Sequence, residues 1–135
     1  MQCRVSGAIL AGAMALFALG IPRAEADEPF DTVVNYTEAL RAGDTAGVKS
    51  CLGGHLYEKR EVLLDQNEEY PDFLRNRYDG AVFRISNELT DMGPQGQGIA
   101  LEVSFPTGHI SKSMLIVEQA PDGLWQIVDE VEATP

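Results

Sequence analysis

The sequence predicts an α+β fold, with helices first and a four-stranded antiparallel sheet after them, and three observations carry that reading. Apolar residues recur at helical spacing from Phe30 to Tyr78. After Asp79-Gly80 the repeat shortens from about 3.6 residues to about 2 and stays there to the end of the chain. The turn sequences DMGPQGQG, PTGH and PDG then separate four alternating runs, so neighbouring runs pair as a meander.

The chain opens MQCRVSGAILAGAMALFALGIPRAEADE. Arg4 precedes an apolar run from Val5 to Ile21, and Ala24-Glu25-Ala26 supplies a small-residue processing site, the parts of a secretory signal peptide cleaved near Ala26. The run is short for a membrane span and is diluted by Gly7, Gly12 and Gly20. Neither Cys3 nor Cys51 stands where a lipid anchor would need it. The expectation is a periplasmic or secreted domain, residues 27–135, with no membrane attachment once residues 1–26 are removed. Those 109 of the 135 residues suffice for one core and are too few for two. The whole chain carries 10 basic and 21 acidic residues, net −11. Cleavage leaves 8 and 20, net −12, a surface that repels nucleic acid and anionic lipid.

Within the domain, PFDTVVNYTEALRA (29–42) places Phe30, Val33, Val34, Thr37 and Leu40 on one helical face, with Pro29 suited to the first turn and Gly43 to the stop. Asp44 caps a short second helix through Leu52, and Gly53-Gly54 ends it. A third helix, from His55 to about Asn67, presents Leu56, Arg60, Leu63 and Leu64 on one side, while Glu58, Glu61, Asp65 and Glu68 form a solvated face. A fourth, 70–78, repeats Tyr70, Phe73, Leu74, Arg77 and Tyr78 at helical spacing. The strands are expected at Ala81–Leu89, Ile99–Phe105, Ile110–Gln119 and Leu124–Val131. Phe83, Ile85 and Leu89 are in phase in the first, and apolar residues occupy both faces of the third.

Several chemistries find no support in the residues. Loss of Cys3 with the signal leaves Cys51 as the only cysteine, on the apolar face of the second helix with Val48 and Leu52, so it reads as a buried, inert thiol. His55 and His109 are the only histidines, and no Cys/His cluster or calcium-loop spacing is present, so neither metal nor cofactor is expected. The glycines of GPQGQG read as a hairpin loop rather than a phosphate cradle, and the sequon at Asn35 lies inside the first helix.

The segment YTEALRAGD and the closing strand DGLWQIVDE, in that order around a helix-then-meander pattern, resemble the nuclear transport factor 2-like (cystatin-like) superfamily over residues 28–132. The resemblance implies a strongly curved sheet wrapped as a cone around a helix, with a pocket between sheet and helices. It also implies a small member, because CLGGHLY leaves little room for a strand between the second and third helices. The superfamily holds isomerases, dehydratases and hydrolases beside many domains without chemistry, so function must be argued from side chains.

Asp129 is in phase with Trp125 and Ile127 by simple alternation, which would aim its carboxylate at the helices as a candidate general base. The structural alternative is an ion pair with Arg60 or Arg77, each of which interrupts an apolar helical face. Tyr57, Tyr70 and Tyr78 are candidates for the mouth of a pocket, and Trp125 for a core anchor beside it. The residues favour a non-catalytic domain that binds a small apolar molecule or a protein partner. The alternatives are an isomerase or hydratase, with Asp129 as base and a tyrosine as hydrogen-bond donor, and an inhibitor or immunity-type protein with a basic target. A homodimer through the exposed sheet face is also expected, with Leu115 and Val117 as the residues to test on it.

Overall fold

A computed structural model of the chain describes residues 28–132, and the expected signal peptide lies outside them. Four helices come first: α1 Pro29–Ala42, α2 Thr45–Cys51, α3 Gly54–Gln66 and α4 Tyr70–Arg77. Five strands follow: β1 Val82–Ile85, β2 Thr90–Asp91, β3 Gln97–Ser104, β4 Ile110–Gln119 and β5 Trp125–Glu132. They form one antiparallel sheet in the order β1, β3, β4, β5, with β2 also paired to β3.

The meander is as expected, but the first strand is broken in two. Ile85 opposes Leu101 and Thr90 opposes Gly98, so β1 and β2 are successive pieces of one edge strand along β3. Between them the Ser86 hydroxyl accepts a hydrogen bond from the Glu88 N–H at 3.1 Å, a local turn that competes with the ladder. Leu89, expected in phase with Phe83 and Ile85, is therefore turned out and 41 % exposed. The Asp91 carboxylate then accepts from the Gly93 N–H at 2.9 Å, leading into a 3-10 turn at Gly93–Gln95.

The start of the chain follows its sequence closely. Pro29 opens α1, where a missing N–H is harmless, and Gly43 closes it at φ +67°, a left-handed conformation that suits glycine. Gly43 is also where α1 meets α4: a Cβ there would lie 2.5 Å from the Pro71 carbonyl oxygen. Asp44 caps α2 by accepting from the Gly47 N–H at 2.9 Å. Leu52 then makes one parallel bridge to Ile127, and the Gly53 N–H donates to the Ile127 carbonyl at 2.9 Å. CLGGHLY thus supplies a two-residue stub along the free side of β5 in place of a strand.

The core lies between the helices and one face of the sheet. Val33, Tyr36 and Leu40 of α1, Val48 of α2, Leu56 of α3 and Leu74 of α4 pack toward Ile99, Leu101, Val103, Leu115, Val117 and Ile127. Leu115 and Val117 are 0 % and 4 % exposed, which corrects their expected place on the outer face; that face carries Met114 and Ile116 instead. The loop around Gly96 lies against Ile116 there, and Met92 lies over Gly98. Two residues expected on buried helical faces, Leu63 and Phe73, are 41 % and 53 % exposed, because α3 and α4 bury only narrow stripes. Cys51 is 1 % exposed, as its helical face suggests. Cys3 lies outside the described residues. No described helix is long and apolar enough to cross a membrane.

Candidate functional site

A β-bulge on β5 decides which acidic side chain reaches the helices. Val117 opposes Ile127 and Ile116 opposes Asp129, so Val128 is an extra residue between them. One inserted residue reverses the alternation beyond it. Asp129 therefore shares the outer face with Ile116, while Glu130 opposes Leu115 on the inner face. Alternation counted straight through from Trp125 misplaces both. This corrects the expected orientation of Asp129: its carboxylate accepts from the Glu130 N–H at 2.9 Å, on the face away from the tyrosines.

Glu130 makes the ion pair that the sequence reading assigned to Asp129. Arg60, on the inner side of α3, donates through Nη2 to Glu130 Oε1 at 2.5 Å and through Nη1 to the Tyr36 hydroxyl at 2.8 Å. The Arg60 and Glu130 side chains are 27 % and 29 % exposed, and Tyr36 is 3 % exposed. Burial penalises the Arg60 cation, yet Tyr36 and Glu130 together hold it more firmly protonated than usual. Burial likewise pushes the Tyr36 phenol well above its ordinary range; Arg60 pulls it down and Glu130 pushes it up. Tyr36, the hydroxyl that completes this trio, was read from sequence only as part of α1. Its position one turn after Thr32 and Val33 on the buried face was the available signal.

Tyr70, at the start of α4, borders the same trio. Burial raises its phenol pKa, the charges of Arg60 and Arg77 lower it, and Tyr78 and Glu130 raise it. Tyr78 stands 5.8 Å from the Phe105 ring and 5.6 Å from the Phe83 ring, centroid to centroid. The Arg77 guanidinium lies 4.8 Å from the Phe105 centroid and 5.7 Å from that of Tyr78. Arg41 closes the far side, with its guanidinium 4.9 Å from the Phe83 centroid and a 2.8 Å hydrogen bond to the Ala81 carbonyl. Four of the seven candidates, Arg60, Tyr70, Arg77 and Tyr78, are thus brought into one neighbourhood with Tyr36, Glu130 and two phenylalanines.

The other three lie elsewhere. Tyr57 lines a separate groove of about 460 Å³ with Lys49, Gly53, Gly54 and Gln126. Trp125 is half-buried at the start of β5, where its carbonyl accepts from the Thr32 hydroxyl at 3.0 Å. Asp129 is on the outer face.

The assembled cluster can donate hydrogen bonds and offer aromatic faces, but its one carboxylate is held by a guanidinium. General base catalysis needs a carboxylate within reach of a substrate proton and free to take it. Glu130 is engaged, and Asp129 faces the other way.

No family model matches the chain, and no curated protein matches it by sequence. Among solved structures, a Campylobacter jejuni protein with the provisional designation NTF2-like transpeptidase is similar at a TM-score of 0.50 and 20 % identity. The match covers 76 % of this chain and 98 % of that one. At that identity the likeness speaks to the fold alone.

Proposed function

We propose, for a chain whose fold is nuclear transport factor 2-like, that the domain is exported and non-catalytic and binds a small, largely apolar ligand. The ligand would sit against Tyr70, Tyr78, Arg77 and Phe105, where apolar ring surface and polar tips lie side by side. One observation carries this reading: the only carboxylate of the cluster, among the described residues, is spent on Arg60 at 2.5 Å. The site is therefore furnished for contact and hydrogen bonding rather than for proton abstraction. The transpeptidase designation of the Campylobacter protein is not carried over. Acyl transfer by a thiol needs an exposed thiolate beside a base, and Cys51 is 1 % exposed in the core.

A second surface is the outer face of the sheet, and a homodimer through it is the second reading. It is supported by a groove of about 340 Å³ lined by Arg84, Ala100, Glu102, Lys112 and Met114. Native mass spectrometry of the protein secreted into a bacterial periplasm tests both. A protomer with reproducible added mass, lost in a Tyr70→Ala variant, is the expected result. A bare protomer in both proteins counts against the ligand, and a doubled bare mass moves the reading to the dimer.

A further inference from the structure

We infer that the ligand at this cluster is an anion, a carboxylate or sulfonate head on an aromatic or aliphatic body, and that Arg77 grips the head. This rests on the ligand-binding reading above and adds the chemical class.

The argument begins with how the arginines are used. Arg60 is held by Glu130 and Tyr36, Arg75 by Asp72, Arg84 by Glu102, and Arg41 by the Ala81 carbonyl. Arg77 is the exception: among the described residues its guanidinium has neither a carboxylate nor a hydrogen-bond acceptor. The chain has 21 acidic against 10 basic residues, yet no carboxylate among the described residues pairs with Arg77. Its guanidinium carbon lies over the Phe105 ring at 4.8 Å and 5.7 Å from the Tyr78 centroid, a cation–π placement that leaves the N–H donors of this exposed side chain open to a partner.

The surroundings suit an amphiphilic anion. Tyr70 stands seven residues before Arg77 on α4, two turns along the same helix face, so a phenolic donor and a guanidinium share that face. Phe105, Tyr78 and Phe83 form a continuous ring surface behind them, with centroids under 6 Å apart along the row. Arg60 cannot supply the positive charge, because Glu130 already neutralises it. Arg77 and, over Phe83, Arg41 are two guanidinium groups on this ring wall that no carboxylate among the described residues neutralises, which favours a ligand with a negative head; a cationic ligand would meet both without compensation.

Two fluorescent probes with the same arylamine body separate the possibilities: 8-anilinonaphthalene-1-sulfonate, which is anionic, and N-phenyl-1-naphthylamine, which is neutral. Both are titrated into the processed protein and into Arg77→Gln and Lys112→Gln, with folding checked by near-UV circular dichroism. The expected result is about tenfold tighter binding of the sulfonate, the scale of one charge-assisted hydrogen bond. Arg77→Gln abolishes that preference and leaves the neutral probe unchanged. Lys112→Gln, which removes a cation from the outer face, alters neither. Equal affinities in the wild type, or a preference that survives Arg77→Gln, overturns the anion assignment while leaving ligand binding in place. Failure of both probes to bind overturns the two together.

Discussion

At the scale of single residues, the contrast between Asp129 and Glu130 is open to direct measurement. Arg60→Met removes the partner of a half-buried carboxylate and of the buried Tyr36 hydroxyl, so it should destabilise the fold by about 1–3 kcal/mol in urea unfolding. Asp129→Asn removes a carboxylate from the outer face and should change stability by less than about 0.5 kcal/mol. The reverse ranking would mean that the bulge does not set the phase of β5. Tyr36 adds a pH signature. Its folded pKa is raised above the unfolded value of about 10, mainly by burial, so the stability it contributes is complete below about pH 10. That contribution is lost as pH rises from there toward the folded value. Tyr36→Phe should therefore flatten the alkaline fall in the urea midpoint, and Tyr70, shifted in the same direction, should account for part of what remains.

At the scale of elements, what the sequence shows depends on whether a feature leaves a periodic trace. The helix α1, its proline start and its glycine stop were legible to the residue, as was β4. The bulge was not: Val128 is as good a strand residue as its neighbours, and only pairing to β4 reveals the insertion. A separate ambiguity had put Leu115 and Val117 on the wrong face, since Met114 and Ile116 are equally apolar and alternation alone cannot say which pair points inward. Two variants make the assignment testable: Leu115→Lys should prevent folding, whereas Met114→Lys should give a folded protein by circular dichroism. The junction of α1 and α4 is equally specific. Gly43→Ala combines a left-handed backbone with a Cβ 2.5 Å from the Pro71 carbonyl, and should cost about 1–3 kcal/mol by thermal or urea unfolding.

At the scale of the whole molecule, helices followed by a meander were enough to read the architecture, while the site was read only in part. Arg60, Tyr70, Arg77 and Tyr78 announced themselves as polar or aromatic interruptions of helical faces. Their partners Glu130, Tyr36 and Phe83 come from three different elements and Phe105 from the turn after β3, and no local spacing links them. The outer sheet face is where self-association would act. If the homodimer forms there, Met114→Lys with Val131→Lys, on opposing residues of β4 and β5, should convert a native dimer mass to that of a monomer. An unchanged native mass would rule out a sheet-mediated pair.

The stub formed by Leu52 and Gly53 has a consequence for how this protein avoids sticking to itself. A bare strand edge is a template for another chain, and β5 would be one if nothing lay beside it. The bridge to Leu52 and the Gly53 N–H at 2.9 Å engage β5 near its start, so an incoming strand finds the Ile127 carbonyl already taken. The opposite edge is β1 and β2, interrupted at Ser86–Leu89, which leaves only four- and two-residue lengths of open ladder. Neither side therefore offers its full length to an incoming strand. Gly53 thus both closes the turn between α2 and α3 and shields part of a strand edge that would otherwise be open to another chain.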